Sequence, residues 1–198
     1  TLFPYTTLFR STLDDGNGST DSEVITVTLA GKNNAPVISV GVGDSAAQAL
    51  TESDVALSIS DTLTATDTNL TDKVTAQVLS GTVKRNNEAT VNLVEGDARL
   101  GWLTVTPSTV LSGSSRTAAT DQLTWTFNST PQAFNDLAEG ETLVFTYTIQ
   151  VGDDAPFNSD LTDTQTVTLT VTGTNDAPAI SLGADDGKTA TLAETNAG

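Results

Sequence analysis

Cysteine, histidine and methionine are all absent from the 198 residues. Without Cys there is no disulfide framework, no thiolate nucleophile and no zinc-finger spacing. Without His there is no Ser-His-Asp triad, no imidazole metal ligand and no side chain that normally titrates near neutrality. Carboxylate-only catalysis survives these exclusions. A secreted chain lacking Cys suits a bacterial exterior better than the disulfide-rich exterior of an animal cell. Basic residues are scarce, 8 Lys and Arg against 25 Asp and Glu, for a net charge of −17. A field of that sign repels nucleic acid and anionic lipid, so neither is an expected partner, and it attracts divalent cations. No stretch approaches ~18 consecutive apolar residues, so no membrane insertion is expected, and no signal peptide is visible. Aromatics make up only 5% of the chain while Thr, Val and Leu are plentiful, which suits many half-exposed strands.

What is present is a repeat. Gly173-Thr174-Asn175-Asp176-Ala177-Pro178 follows an alternating stretch, Thr166 to Thr172, and Gly31-Lys32-Asn33-Asn34-Ala35-Pro36 follows another, Glu23 to Ala30. The two prolines differ by 142 positions (178 − 36). The same offset carries Ile25, Val27 and Leu29 onto Val167, Leu169 and Val171. Further on it carries Asp44 onto Asp186 and Glu52 onto Glu194. A period this long describes whole domains joined by short linkers and is too long for a solenoid turn. The expected organisation is therefore the end of one repeat over 12–35, one complete repeat over 36–177, and the start of another over 178–198. Thr1 to Ser11 lies outside the pattern. It looks like the in-frame translation of a sequencing-adapter oligonucleotide, and it is read as an artefact rather than a strand.

Within the complete repeat, short alternating segments are separated by Gly, Pro, Asn and Asp, and a helical period is almost missing. This pattern predicts an all-β sandwich. Val55 to Leu63, Val74 to Leu79, Leu123 to Phe127, Leu143 to Val151 and Val167 to Val171 read as strands. Gln132 to Ala138 reads as one helical turn, and 82–101 reads as a hairpin or an insertion. Trp125 and Tyr147 fall on apolar alternating positions and are read as core rather than as a sugar-stacking platform. The acids gather in turns: Thr64 to Asp72 is one acidic loop and Asp153 to Asn158 another.

Those turns carry a resemblance. The Gly-Thr-Asn-Asp-Ala-Pro linker, Leu123-Thr124-Trp125-Thr126-Phe127-Asn128-Ser129, and Leu137-Ala138-Glu139-Gly140-Glu141-Thr142-Leu143 resemble, in that order, the VCBS-type repeat of giant bacterial surface and secreted proteins. The likeness to cadherin-like and bacterial Ig-like modules is more distant. It implies an Ig-like or cadherin-like sandwich in a tandem array, with Ca2+ at the junctions between domains. Asn175 and Asp176 resemble the cadherin linker pair. Glu52 resembles the first-strand glutamate that reaches the C-terminal junction of its own domain. Glu139 and Glu141 resemble the acids before the long penultimate strand. Asp67 and Asn69 resemble an Asp-x-Asp turn facing the N-terminal junction, and Asp153 or Asp154 the aspartate facing the same end. Asn33, Asn34 and Glu194 are their counterparts in the flanking partial repeats. The first linker has Asn34 where the second has Asp176, and so carries less charge. Singly, each of these residues is also an ordinary turn former. The set of Glu52, Glu139, Glu141, Asn175 and Asp176 is expected to converge at one end and to need a cation to offset its repulsion.

The resulting expectation is a non-catalytic, calcium-rigidified extender repeat of a bacterial surface or secreted adhesin. Its partners would be neighbouring repeats of the same chain. A module that itself binds a carbohydrate or a cell-surface protein is the second reading. An accessory repeat attached to a secreted enzyme, or a carboxylate-pair glycosidase, is the third.

Overall fold

The computed structural model describes residues 5–113, 118–153, 161–177 and 189. The chain begins with a hairpin, β1 (Tyr5–Asp14) antiparallel to β2 (Thr20–Leu29). Its turn is held by side chains. Asp14 Oδ1 accepts from Gly16 N at 2.7 Å, and Asp15 Oδ1 accepts from Asn17 N and Ser19 N at 2.8 and 3.0 Å. This corrects the expectation that residues 1–11 form no strand. The alternating β2 and a tight acidic turn are enough to pair an extended neighbour through the backbone. The pairing gains no core, for Leu8, Phe9 and Leu13 are exposed, as are Ile25, Val27 and Leu29 opposite.

Ten further strands follow: β3 (Val37–Ser39), β4 (Ala47–Thr51), β5 (Ser58–Thr66), β6 (Lys73–Arg85), β7 (Val91–Leu93), β8 (Leu103–Thr106), β9 (Thr109–Ser112), β10 (Thr120–Asn128), β11 (Thr142–Asp153) and β12 (Thr162–Thr172). One sheet has the order β3-β5-β10-β8. The other has the order β4-β12-β11-β6-β7, with β9 pairing the opposite end of β6. Pairing is antiparallel throughout except between β12 and β4, which run parallel. The first strand of the domain is thus divided, β3 joining one sheet and β4 the other. This is an all-β, Ig-like sandwich.

The alternation of the sequence becomes the two inner faces. Leu63, Leu123, Trp125 and Phe127 face Phe145, Tyr147, Ile149, Val151, Val167, Leu169 and Val171, all fully buried. Trp102 sets its ring edge-on to Phe127 at 5.9 Å and to Phe134 at 5.7 Å. The polar ends of the two large rings are satisfied inside: Trp125 Nε1 donates to Ser45 O at 2.8 Å and Tyr147 OH to Arg99 O at 2.7 Å.

β5, β6 and residues 131–136 differ from the sequence reading, while the hairpin read over 82–101 is formed by β6 and β7. β5 starts at Ser58 and runs to Thr66, leaving Val55 exposed outside it. β6 runs past Leu79, where the sequence reading ends it, through Ser80-Gly81 to Arg85. Glycine is needed there because a Cβ on Gly81 would meet Leu93 Cδ1 at 2.9 Å and Tyr147 Cδ1 at 3.0 Å. Beyond β6 the chain turns at Asn86 (φ 44), forms β7, and enters a 3-10 turn over Ala98–Trp102 capped by Asp97. Residues 131–136 form consecutive turns rather than a helical turn, with Gln132 at φ 57.

Candidate metal centre

Three strand ends meet at the end of the sandwich where the first linker enters. Asp67 directly follows β5, Asp72 directly precedes β6, and Asp153 is the last residue of β11. Backbone hydrogen bonds fix all three. Asp67 N donates to Ala119 O at 2.7 Å, Asp72 N to Asn69 O at 3.0 Å and Asp153 N to Leu161 O at 3.1 Å. Asn69 N closes the loop onto Asp67 Oδ1 at 2.7 Å. The result is a buried group: the residues are 1%, 9% and 2% exposed, and one carboxylate oxygen from each lies within 4.8 Å of the other two. Asp72 Oδ2 and Asp153 Oδ1 are buried and receive no hydrogen bond.

The linker lies against this group. Asn33 Nδ2 donates to Asp153 Oδ2 at 3.1 Å, while Asn33 Oδ1 is buried with no donor. Asn34 N donates to Asn69 Oδ1 at 2.9 Å, its Nδ2 to Thr68 Oγ1 at 3.4 Å, and Asn69 Nδ2 reaches Lys32 O at 3.5 Å. Burial pushes the Asp153 carboxyl up to about 7, the Asp67 carboxylate adds to the effect, and the Asn33 amide opposes it. The protein has drawn several anions out of water into one place. Such a group is costly unless a proton or a cation neutralises it. The donor set is all oxygen, carboxylates with a carbonyl-type Asn33 Oδ1 and no nitrogen or sulfur. That set suits a hard dication, and calcium in particular, which takes six to eight oxygens at ~2.3–2.6 Å in flexible geometry.

The opposite end is organised differently. Glu52, 5% exposed, accepts from Thr174 N at 2.9 Å through Oε2 and so ties the second linker to its own domain. Glu139, Asn175 and Asp176 line a shallow pocket of about 260 Å3 with Asp136. Glu141 is engaged on the turn before β11. It accepts from Ala138 N at 2.9 Å, Arg85 Nη2 at 2.9 Å and Asn86 Nδ2 at 3.0 Å. The Ala138 amide and the Arg85 guanidinium hold its carboxyl below the usual range. The five residues expected to converge here are therefore divided: Glu139, Asn175 and Asp176 share the pocket, Glu52 holds the linker backbone and Glu141 holds a turn. Asp154 and Glu194 lie outside the described residues.

The sequence reading missed Asp72 as a site residue, although it placed it in the acidic loop. The signal was its position. Two aspartates at the two ends of one loop, each next to a strand, must emerge at the same end of the sandwich.

No family model matches the sequence, and no curated protein matches it. Solved structures give distant matches. A PapD-like domain of human CEP192 is 11% identical, covering 73% of this chain and 89% of its own, with a TM-score of 0.40. The CooA pilin subunit of enterotoxigenic Escherichia coli is 10% identical over 73% of this chain and 100% of its own, TM-score 0.38. The periplasmic chaperone SfaE is 10% identical over 70% of this chain and 58% of its own, TM-score 0.35. Likeness at this level carries no argument about function.

Proposed function

We propose that the sandwich is an extender module of a bacterial surface or secreted protein, stiffened by calcium where a linker meets the next domain. One observation carries the reading: Asp67, Asp72 and Asp153 are buried together, and the linker residue Asn33, which donates to Asp153, keeps a buried carbonyl oxygen with no donor. Calcium held by these oxygens and approached by Asn34 and Asn69 would fix the linker on the domain below it. The 142-residue period supports an array, and the net charge of −17 with no Cys supports a calcium-rich exterior. The VCBS and cadherin resemblance supports adhesion as the setting. A glycan-binding reading has less support, because Trp125 and Tyr147 are fully buried.

The test is thermal unfolding of the full chain with calcium, with magnesium and with chelator. A calcium-selective rise in Tm of several degrees is expected. Equal Tm in all three buffers would make the acids turn formers and the linkers plain hinges.

A further inference from the structure

A strand at the edge of a sheet presents unpaired backbone groups, and folded chains guard such edges with charge, proline, bulges or brevity. Among the described residues most edges of the sandwich are guarded. β3 has three residues and follows Pro36, β7 has three residues between Glu88 and Glu95, β8 runs into Pro107, and β9 has four residues with Val110 and Leu111 buried. β4 is different. Its five residues, Ala47 to Thr51, include no charge and no proline. Ala46 O accepts from Thr168 N at 2.8 Å and Glu52 N donates to Thr172 O at 2.9 Å. In a parallel ladder this turns the even-numbered residues toward β12, so Ala47, Ala49 and Thr51 point N–H and C=O to the open side. The strand is fixed at both ends. Ser45 O receives Trp125 Nε1 before it, and the Glu52 carboxylate receives Thr174 N after it, so little ordering remains to be done on pairing.

The outer face beside this edge lacks acids. Thr166, Thr168, Thr170 and Thr172 of β12 lie there, with Thr148 and Thr146 of β11 opposite the first two. Asp153 and Asp163 have the inward parity, so no outward position of these two strands is Asp or Glu, in a chain with 25 of them. Two polyanions repel least where neither presents an acid. From the unguarded edge and the acid-free face we propose that two copies of this chain pair β4 against β4, antiparallel, into one sheet continuous across both molecules. The two-fold axis passes through Ala49. Ala49 faces its own counterpart and Ala47 faces Thr51 of the second copy, each exchanging both backbone hydrogen bonds with the residue opposite. Small side chains meet on the outer face, and Gln48, tied to Asp61 at 2.9 Å, meets Leu50 on the inner one. Such a contact is self-complementary and closes at two. The 142-residue offset carries β4 onto Thr189-Ala190-Thr191-Leu192-Ala193, again without charge or proline. In an array the contact would recur from repeat to repeat, and weak pairs in series would hold two strings side by side. The proposal does not draw on the calcium reading.

The test is sedimentation velocity of the full chain in EDTA and in calcium. One strand pair is a small, transient interface, so a dimer with Kd on the order of 100 µM is expected in both buffers. Asp44 and Asp54 flank β4 and come opposite each other across the antiparallel pair, so raising salt from ~20 to ~500 mM should tighten it several-fold. Ala49→Lys puts two ammonium groups face to face on the axis. It should weaken the dimer ten-fold or more while melting like the parent, for Ala49 is exposed. Thr146→Lys, two strands away on the same face, should dimerise within about two-fold of the parent. Amide exchange at Ala49 and Thr51 should slow as concentration rises, while Leu50, turned to β12, should not respond. A parent that stays monomeric at ~1 mM in high salt would overturn the proposal. So would a dimer that survives Ala49→Lys unchanged, or one weakened equally by Thr146→Lys. Those results would move the contact to the exposed apolar side of the β1-β2 hairpin or to the threonine face.

Discussion

Replacing Asp72 by Asn should stabilise the protein in chelator and reduce its response to calcium. Asp72 Oδ2 is buried without a donor beside Asp67 and Asp153, so in the absence of a cation its charge is a liability. The Asp153 carboxyl indicates the scale. A rise from 3.8 to about 7, at ~1.4 kcal/mol per pH unit, comes to on the order of 4 kcal/mol of lost stability at pH 8. Burial and Asp67 are the larger causes and Asp72 a smaller one, so neutralising it should recover about 1 kcal/mol. For a repeat of 142 residues the unfolding entropy near 60 °C is about 0.3 kcal/mol/K, so the gain corresponds to a Tm rise of ~3 °C in EDTA. In ~10 mM calcium, a site of ~1 mM Kd stabilises the parent by about 1.4 kcal/mol, or ~5 °C. The variant, with a ligand charge removed, should gain ~1 °C or less from the same addition. Differential scanning calorimetry in the two buffers reads both numbers. A variant that melts below the parent by the same amount in EDTA and in calcium would refute the reasoning, because Asp72 would then be a turn former and nothing more.

The same cluster sets a pH dependence. The folded-state value of Asp153 is raised, so the folded chain holds its proton more tightly than the unfolded chain does. In EDTA, Tm should fall as pH rises from about 4 to about 7 and then level off, and in saturating calcium that fall should disappear. Phe127→Ala should cost ~3–5 kcal/mol in urea titrations at any calcium concentration, for Phe127 is fully buried against Trp102, Phe145 and Tyr147. Burial raises the Tyr147 phenol well above its ordinary value. Its phenolate absorbance near 295 nm should therefore appear only when the chain unfolds in alkali. Removing residues 1–11 should leave the melting of the sandwich unchanged, since among the described residues β1 pairs with β2 alone and its leucines and Phe9 are exposed.

The sandwich was legible because alternation is a property of consecutive residues. Leu143 to Val151 and Val167 to Val171 put every second side chain into the core with no long-range information needed. The stretch from Thr82 to Gly101 was not legible, because its signals come from across the sheet. Gly81 pairs with Tyr147 and Leu93 across the sheet, where a Cβ would crowd both side chains, and the 3-10 turn at Ala98–Trp102 receives the Tyr147 hydroxyl. The same division holds at the site. That acids face the junctions could be read from their turns. That Asp67, Asp72 and Asp153 share one buried place depends on three strand ends being brought together by two sheets. The role of Glu141 depends on Arg85, a residue 56 positions away.

The divided first strand has a mechanical consequence. β4 runs parallel to β12, with Ala47 to Thr51 alongside Thr168 to Thr172. A load drawn along the chain pulls β4 from its leading end and β12 from its trailing end. The two strands are therefore tugged in opposite directions along one line, and their hydrogen bonds share the strain together instead of opening one after another. A string of such units would resist tension at the very strands that receive it, and would extend by straightening its linkers before any sandwich came apart.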